Sequence, residues 1–354
     1  MNNTITLEAA LQQTNSVWVD VRSPVEFAAG HIPGAINVPL FSDNERAEVG
    51  TIYKNAGQSD AKKHGLSIVS PKLPAMIDSI RTILPPDGMV IVYCWRGGMR
   101  SQSIVRILDL MNIPAYQLVG GYKVHRRYIL DGLDRVNLSG PLIVVSGSTG
   151  VGKTLLLNLL ATQGCPTIDL EHLANHRGSV FGQVGLGTPT TTPNFEANLF
   201  AELQTVHTAP FLLVECESKR IGKVYIPDKF FQTMQNGKRI LIEASIEKRV
   251  DRLKIEYLDL SEQNRQDIMS SLQTLQNRLG KKKTAALQEA LLANKVEEVI
   301  TTLLTDYYDP LYGYNKSDKN RFDLIVNADD LNQAAAEIME YLNKLGGNVF
   351  GNAR

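Results

Sequence analysis

Met89-Val90-Ile91-Val92-Tyr93-Cys94-Trp95-Arg96-Gly97-Gly98-Met99-Arg100-Ser101 runs without a break from a β-prone stretch into a glycine-rich loop and then into the start of a helix. Pro85-Pro86-Asp87-Gly88 sets a turn before it. After it, Ile104, Val105, Ile107, Leu108 and Met111 recur at helical spacing from Ser101 to Met111. Working outward, Val17–Val21 reads as a strand, Pro24 to Ala29 as a short helix, and Tyr116–Val119 as a strand ending at Gly120-Gly121. Strand, loop, helix, strand in this rhythm predicts a parallel sheet covered by helices.

A second unit begins after the turn-rich Leu138-Ser139-Gly140-Pro141. Leu142–Val145 reads as a buried strand, followed by a glycine loop and a helix from Thr154 to Ala161. Further strands are expected at Pro166–Asp169, Phe211–Glu215, Arg239–Glu243 and Asp323–Val326. The stretch from about 245 to 305 is polar and helical. The chain is therefore expected to be α/β in two domains, 1–137 and 138–354, the second carrying a helical insertion at about 245–305.

The bulk properties agree with two soluble domains. The chain has 354 residues, 43% of them hydrophobic and 21% charged. Lys plus Arg and Asp plus Glu both number 37, so net charge points to no polyanionic partner and any such partner must meet a local basic patch. The three cysteines are Cys94, Cys165 and Cys216. An odd, widely spaced set without a CxxC pair speaks against a disulfide framework and a cysteine zinc site, and fits a reducing, cytoplasmic setting. Met1 to Ser16 does not read as a signal peptide, and no apolar stretch approaches the roughly 20 residues needed to span a bilayer, so no membrane partner is expected.

Cys94 is the candidate catalytic residue. A loop between a strand and a helix turns its backbone N–H groups inward, and the helix N-terminus adds partial positive charge. Gly97 and Gly98 let the backbone curl, and Arg96 and Arg100 add fixed charge. Together these favour a thiolate and a tetrahedral anion beside it. Cys165 and Cys216 lack such a setting and read as structural.

Gly147-Ser148-Thr149-Gly150-Val151-Gly152-Lys153-Thr154 matches G-x-x-x-x-G-K-[ST] between an expected strand and an expected helix. The amides can surround a diphosphate, Lys153 supplies a point charge, and the Thr154 hydroxyl is a candidate Mg²⁺ ligand. Nucleoside triphosphate is the default ligand, and any diphosphate ester is chemically acceptable. Glu215, ending its strand, is a candidate metal-orienting acid. Lys219, Arg220 and Lys223 follow closely and read either as a phosphate or nucleic-acid contact or as a solvated loop. His172 to Gly187, with Arg177 inside it, reads as a flexible substrate loop. Tyr307 and Tyr308 either pack between helices or stack on bases.

Asp20-Val21-Arg22-Ser23-Pro24-x-Glu26-Phe27 and Gly30-His31-Ile32-Pro33-Gly34-Ala35-x-Asn37-x-Pro39 resemble the N-terminal signature of the rhodanese family. That resemblance implies a rhodanese-like domain with sulfur carried as a persulfide on the loop cysteine. Asp20, Arg22, Glu26 and His31 are expected to hold the sheet edge and loop together without doing chemistry. The chain departs from the family in one respect: a typical rhodanese loop is C-x4-R, whereas Cys94 to Arg100 is C-x5-R. The extra residue enlarges the cradle, as in phosphatases related to rhodaneses, and suits a phosphate-bearing donor better than thiosulfate. No general-acid aspartate stands nearby in sequence to support a phosphatase.

With Gly147–Thr154, His176-Arg177-Gly178-Ser179 and Glu217-Ser218-Lys219-Arg220-Ile221-Gly222, the whole chain resembles the tRNA 2-selenouridine synthase family. The resemblance implies a rhodanese-like domain followed by a P-loop NTPase-like α/β domain with a helical extension. It implies two reactions on tRNA carrying a 5-substituted 2-thiouridine at the wobble position. Geranyl diphosphate first alkylates the 2-thio sulfur, and selenium from selenophosphate then replaces the geranylthio group. On this reading Cys94 carries selenium as Cys–S–Se, while Arg96, Gly97, Gly98 and Arg100 bind selenophosphate. Gly147, Ser148, Thr149, Gly150, Val151, Gly152, Lys153 and Thr154 hold the geranyl diphosphate head, with Mg²⁺ on Thr154 and Glu215. Arg177, Lys219, Arg220, Lys223 and Lys281 to Lys283 hold tRNA. An enzyme that makes selenophosphate is a further candidate partner. The competing expectation is a rhodanese-type sulfurtransferase coupled to an NTP-hydrolysing P-loop domain.

Overall fold

The computed structural model describes residues 3–257, 261–312 and 319–346. It divides into two compact units: Met1–Gly132 with Thr191–Asn198, and Leu133–Thr190 with Leu199–Arg354. The division falls inside the helix Gly121–Arg135, ahead of the turn-rich break at 138–141.

In the first unit the strands β1 (Thr4–Ile5), β2 (Ser16–Asp20), β3 (Ile36–Asn37), β4 (Met89–Tyr93) and β5 (Ala115–Leu118) form one sheet in the order β1-β5-β4-β2-β3. Every pairing is parallel. The central strand β4 is apolar throughout because both its faces are covered. Val90 and Val92 enter the core that contains Cys94, Ile104 and Leu108, while Ile91 and Tyr93 point to the opposite core with Leu7, Leu118 and Tyr122.

Polar residues close the edge of this sheet. Asp20 and Arg22 are a buried pair: Arg22 Nη2 donates to Asp20 Oδ2 at 2.6 Å and to the Gly30 carbonyl at 2.6 Å. Glu26 completes a capping box with Ser23 at the start of the helix Pro24–Ala29. His31 stacks on Phe27 with ring centroids 4.0 Å apart, and its backbone N–H donates to Asn194 Oδ1 at 3.0 Å.

In the second unit β6 (Leu142–Ser146), β7 (Thr167–Ile168), β8 (Leu212–Glu215), β11 (Lys238–Glu243) and β12 (Leu324–Asn327) form a parallel sheet in the order β12-β11-β6-β8-β7. The short β9 (Arg220–Ile221) and β10 (Val224–Tyr225) pair antiparallel as a hairpin. The chain leaves β6 toward β8 and β7 on one side and returns to β11 on the other. The loop after β6 therefore stands at a topological switch point, where α/β sheets hold ligands.

The helices Ile246–Glu256, Glu262–Thr274, Lys281–Leu292 and Val296–Leu303 build a separate apolar cluster around Leu272, Leu291 and Leu304. Tyr307 and Tyr308 are buried in that cluster and meet edge to face at 5.0 Å, so they pack between helices rather than wait for bases. No helix among the described residues is long and apolar enough to cross a membrane.

Candidate functional site

The first site is the loop between β4 and the helix Met99–Leu110. Cys94 is buried, and its Sγ accepts the Gly98 N–H at 3.2 Å and lies 3.3 Å from Ser101 Oγ. Gly98 caps the helix, whose first-turn amides have no intrahelical acceptor. The loop is pressed onto the next turn of chain: a Cβ on Gly121 would lie 2.2 Å from the Cys94 carbonyl, and one on Gly97 (φ +62) would lie 2.6 Å from the Leu118 carbonyl. A Cβ on Gly98 would meet open space, which marks where the loop can admit a ligand.

The two arginines of this loop behave differently. Arg96 is exposed, with no side-chain partner among the described residues. Arg100, expected to hold the donor phosphate, instead turns its fork onto Glu26, with Nη1 to Oε2 at 2.6 Å and Nη2 to Oε1 at 3.2 Å. Burial pushes the Glu26 carboxyl up, but the hydrogen bonds and charge of Arg100 outweigh it and hold it below the usual carboxylate range. Arg100 is thus tied to Glu26, while Arg96 is exposed and bonds no side chain among the described residues.

Sequence reading missed three contributors here. Gln117, on β5, donates to the carbonyls of Gly97 at 2.7 Å and Gly98 at 3.0 Å and to Ser101 Oγ at 3.0 Å. Ser101 sits beside the thiol. Trp95 is 43% exposed and lies 5.7 Å from the Tyr122 ring, an aromatic face next to the cysteine. Trp95 and Ser101 are adjacent to the motif and could have been found there. Gln117 reaches it only through the β4–β5 pairing.

The second site is the loop after β6. Gly150 (φ +80) and Gly152 (φ +89) take backbone conformations that a side chain would strain, and Gly152 caps the helix Lys153–Thr162. Lys153 Nζ folds back to the Gly147 carbonyl at 3.0 Å. Two arginines of the helix Ile246–Glu256 anchor other loop carbonyls: Arg249 Nε to Thr149 at 2.8 Å and Arg252 Nη1 to Val151 at 2.7 Å. Arg249 is itself clamped by Asp309 at 2.6 and 2.9 Å. Their spacing, three apart on one helix face, was a readable signal.

Carboxylates gather beside this loop. Thr154 Oγ1 donates to Glu171 Oε2 at 3.1 Å, so Glu171 rather than Glu215 touches the threonine. Glu215 is fully buried: Oε1 accepts the Glu171 N–H at 2.7 Å, and Oε2 has no partner among the described residues. Burial, and then the charge of Glu217, push the Glu171 carboxyl up to about 8. Burial and the charges of Asp169 and Glu171 push Glu215 up as well. Mg²⁺ asks for one or two carboxylates together with phosphate oxygens and water. The orphaned Glu215 oxygen, Glu171 and the Thr154 hydroxyl fit that demand. Glu171 and Glu217 were missed because acids after a strand are common in any sequence.

The presumed flexible loop after His172 is different in the structure. His172 lies in the helix Leu170–Ala174, and Asn175 Nδ2 ties the carbonyls of Leu186 and Thr188 at 2.9 and 2.8 Å. Phe181 and Val184 are buried in the helical cluster. Arg177 pairs with Glu256 at 2.7 Å and donates to the Val184 carbonyl at 2.7 Å, so its guanidinium is spent within the fold rather than offered to tRNA. Gly178 and Gly222 explain the local sequence. A Cβ on Gly178 would lie 2.8 Å from a Glu171 oxygen and 2.9 Å from one of Glu217, and one on Gly222 would lie 2.4 Å from the His176 ring.

The other basic residues separate into two groups. Lys219, Arg220 and Lys223 share the β9–β10 hairpin, with Lys219 paired to Asp228 at 2.5 Å and Arg220 Nε donating to the Gly222 carbonyl at 2.8 Å. Lys223 is exposed at its turn. Lys281–Lys283 form the exposed first turn of the helix Lys281–Leu292, where positive charge opposes the helix dipole.

Comparison with known proteins matches both parts of the chain. A family model described as "tRNA 2-selenouridine synthase AAA domain" matches residues 140–345, and one described as "Rhodanese-like domain" matches residues 4–127. The tRNA 2-selenouridine synthase of Bdellovibrio bacteriovorus is 36% identical over 345 residues, covering 85% of this chain and 89% of that protein. That of Psychromonas ingrahamii is 33% identical over 333 residues, 86% and 90% of the two chains. That of Shewanella loihica is 35% identical over 324 residues, 84% and 86%.

Proposed function

Because this chain belongs to the tRNA 2-selenouridine synthase family, we propose that it exchanges the sulfur of a wobble 2-thiouridine in tRNA for selenium, in two steps served by its two anion loops. In the first, the 2-thio sulfur attacks the allylic carbon of geranyl diphosphate. A carbon–sulfur bond forms, the carbon–oxygen bond breaks, and the base loses its N3 proton. Gly147–Thr154 bind the departing diphosphate, with Lys153 countering its charge. Thr154, Glu171 and Glu215 would hold Mg²⁺, which when bound neutralises further charge on the leaving group.

Alkylation turns the sulfur into a good leaving group, and the second step uses this. Selenium in selenophosphate is already at the selenide level, so loading it on Cys94 as Cys–S–Se needs a two-electron acceptor. A redox-neutral course needs none. The Cys94 thiolate adds to C2 and expels geranylthiol. The selenium of selenophosphate then displaces Cys94, and water removes the phosphoryl group. Covalent attachment divides one difficult substitution into two. Arg96 and the first-turn amides receive the phosphate of the donor, and the β9–β10 hairpin with Lys281–Lys283 meets the tRNA backbone.

The observation that supports this reading best is the Cys94 sulfur at the open helix N-terminus, in a chain that also carries a diphosphate loop lined by carboxylates. The experiment is to incubate the purified protein with 2-thiouridine tRNA, geranyl diphosphate and selenophosphate, and to follow the nucleosides by mass spectrometry. S-geranyl-2-thiouridine followed by 2-selenouridine is expected. Nucleotide turnover stimulated by tRNA, with no need for geranyl diphosphate, would instead establish an NTP-coupled sulfurtransferase.

A further inference from the structure

The helical part of the second unit holds a partly open pocket of about 60 Å³ that the reactions above leave unused. Its wall is apolar, formed by Leu253, Val299, Leu303 and Leu304 with the Tyr257 ring, and it includes Thr149 of the diphosphate loop. Protein interiors are close-packed, and an apolar pocket left unfilled forgoes the contacts that an apolar group would make there. Water needs two to four polar partners, which this wall does not supply in depth. A nucleobase brings ring nitrogens and an exocyclic group that would be buried without hydrogen bonds. Hydrocarbon asks for no partner and gains by leaving water. An apolar cavity of roughly 150 Å³ accepts benzene, so one of about 60 Å³ takes only the two or three carbons at a branched chain tip and rejects a purine.

We infer that this cavity seats the distal isoprenyl end of an allylic diphosphate whose head lies in Gly147–Thr154. The inference rests on the prenyl-transfer reading and adds where the chain lies and what sets its length. Thr149 joins the two parts: its backbone is part of the diphosphate loop, held by Arg249, and the same residue lines the hole. The helical insertion thus converts a generic diphosphate site into one for a hydrocarbon ester.

The test is a calorimetric titration of the full-length protein, in Mg²⁺, with geranyl S-thiolodiphosphate, with inorganic diphosphate and with ADP. The geranyl analogue should bind at least about tenfold more tightly than inorganic diphosphate, with a negative heat-capacity change from apolar burial. Val299→Phe and Leu303→Phe, which fill the cavity, should remove that advantage and leave inorganic diphosphate unchanged. Leu303→Ala, a milder change that enlarges the cavity, should shift preference toward the farnesyl analogue. The assignment is overturned if the analogue binds no better than inorganic diphosphate, if filling leaves it unaffected, or if filling weakens ADP equally. A protein that geranylates tRNA yet ignores the filling changes defeats the cavity assignment alone. One that binds the analogue in the cavity but transfers no prenyl group defeats the prenyl-transfer reading and leaves the cavity assignment standing.

Discussion

The hydroxyl of Thr154 donates to the carboxylate of Glu171 at 3.1 Å, joining the Gly147–Thr154 loop to an acid that follows a different strand. The contact makes the loop sensitive to protonation, because burial and Glu217 push the Glu171 carboxyl up to about 8.

Binding Mg²⁺ with diphosphate at pH 7 should therefore expel a proton from this site. Calorimetry in buffers of different ionisation enthalpy should show net release, falling to zero as pH rises past about 8, and Glu171→Gln should reduce it by about one proton. The same shift acts on stability. Between the ordinary carboxylate value of 4.5 and about 8 the folded chain holds a proton that the unfolded chain has lost. Stability from this group must then fall as pH rises through that window and level off above it. Thermal melts of wild type against Glu171→Gln across pH 4 to 9 check the sign.

Cys94→Ala should keep geranylation of 2-thiouridine tRNA and lose selenation by about a thousandfold or more, as expected for removal of a covalent nucleophile. The substitution removes one sulfur from a packed core, so melting should change little. Loss of both activities in a folded variant would refute the separation of the steps.

Arg96 and Arg100 should respond differently. Arg96→Ala should raise the KM for selenophosphate about tenfold, near 1.4 kcal/mol, with unchanged melting. Glu26→Ala strands Arg100 and should destabilise the first unit by about 1.5–3 kcal/mol, the range for hydrogen bonds to a charged group. Denaturant unfolding alongside selenation assays separates the two. Equal behaviour would mean that Arg100 leaves Glu26 when the donor binds.

Lys153→Ala should abolish geranylation while leaving the fold intact, because its ammonium bonds only a loop carbonyl in this state. Arg249→Ala should reduce geranylation and also cost about 1–3 kcal/mol, since it leaves a loop carbonyl unbound and frees the half-exposed Asp309. Unfolding curves with single-turnover geranylation distinguish these.

Much was readable along the chain because it depends on neighbours in sequence. β4, the loop after it and the helix that follows are contiguous, so a period of two, a glycine pair and a period near 3.6 locate Cys94 at a helix N-terminus without any tertiary information. Gly147–Thr154 is legible for the same reason: the glycine loop and the helix that follows it are a single run of residues. Asp20, Arg22 and Glu26 were expected to hold the sheet edge and loop together, and the structure pairs Arg22 with Asp20 at the edge and Glu26 with Arg100 beside the loop.

What the chain could not reveal is how its charged groups are spent. Arg100 and Arg177 look free in sequence, yet Glu26 is 74 positions from the first and Glu256 is 79 positions from the second. Glu171 reaches Thr154 only because β7 and β6 flank β8 in one sheet. The apolar hole beside Thr149 exists only when the helices between 246 and 303 pack together. Sequence by itself determined the two glycine-rich strand-to-helix loops, because backbone geometry there is local. Tertiary structure alone decided which charges remain available and where hydrocarbon can go, because ion pairs and cavities are made by residues that only folding brings within a few ångströms of one another.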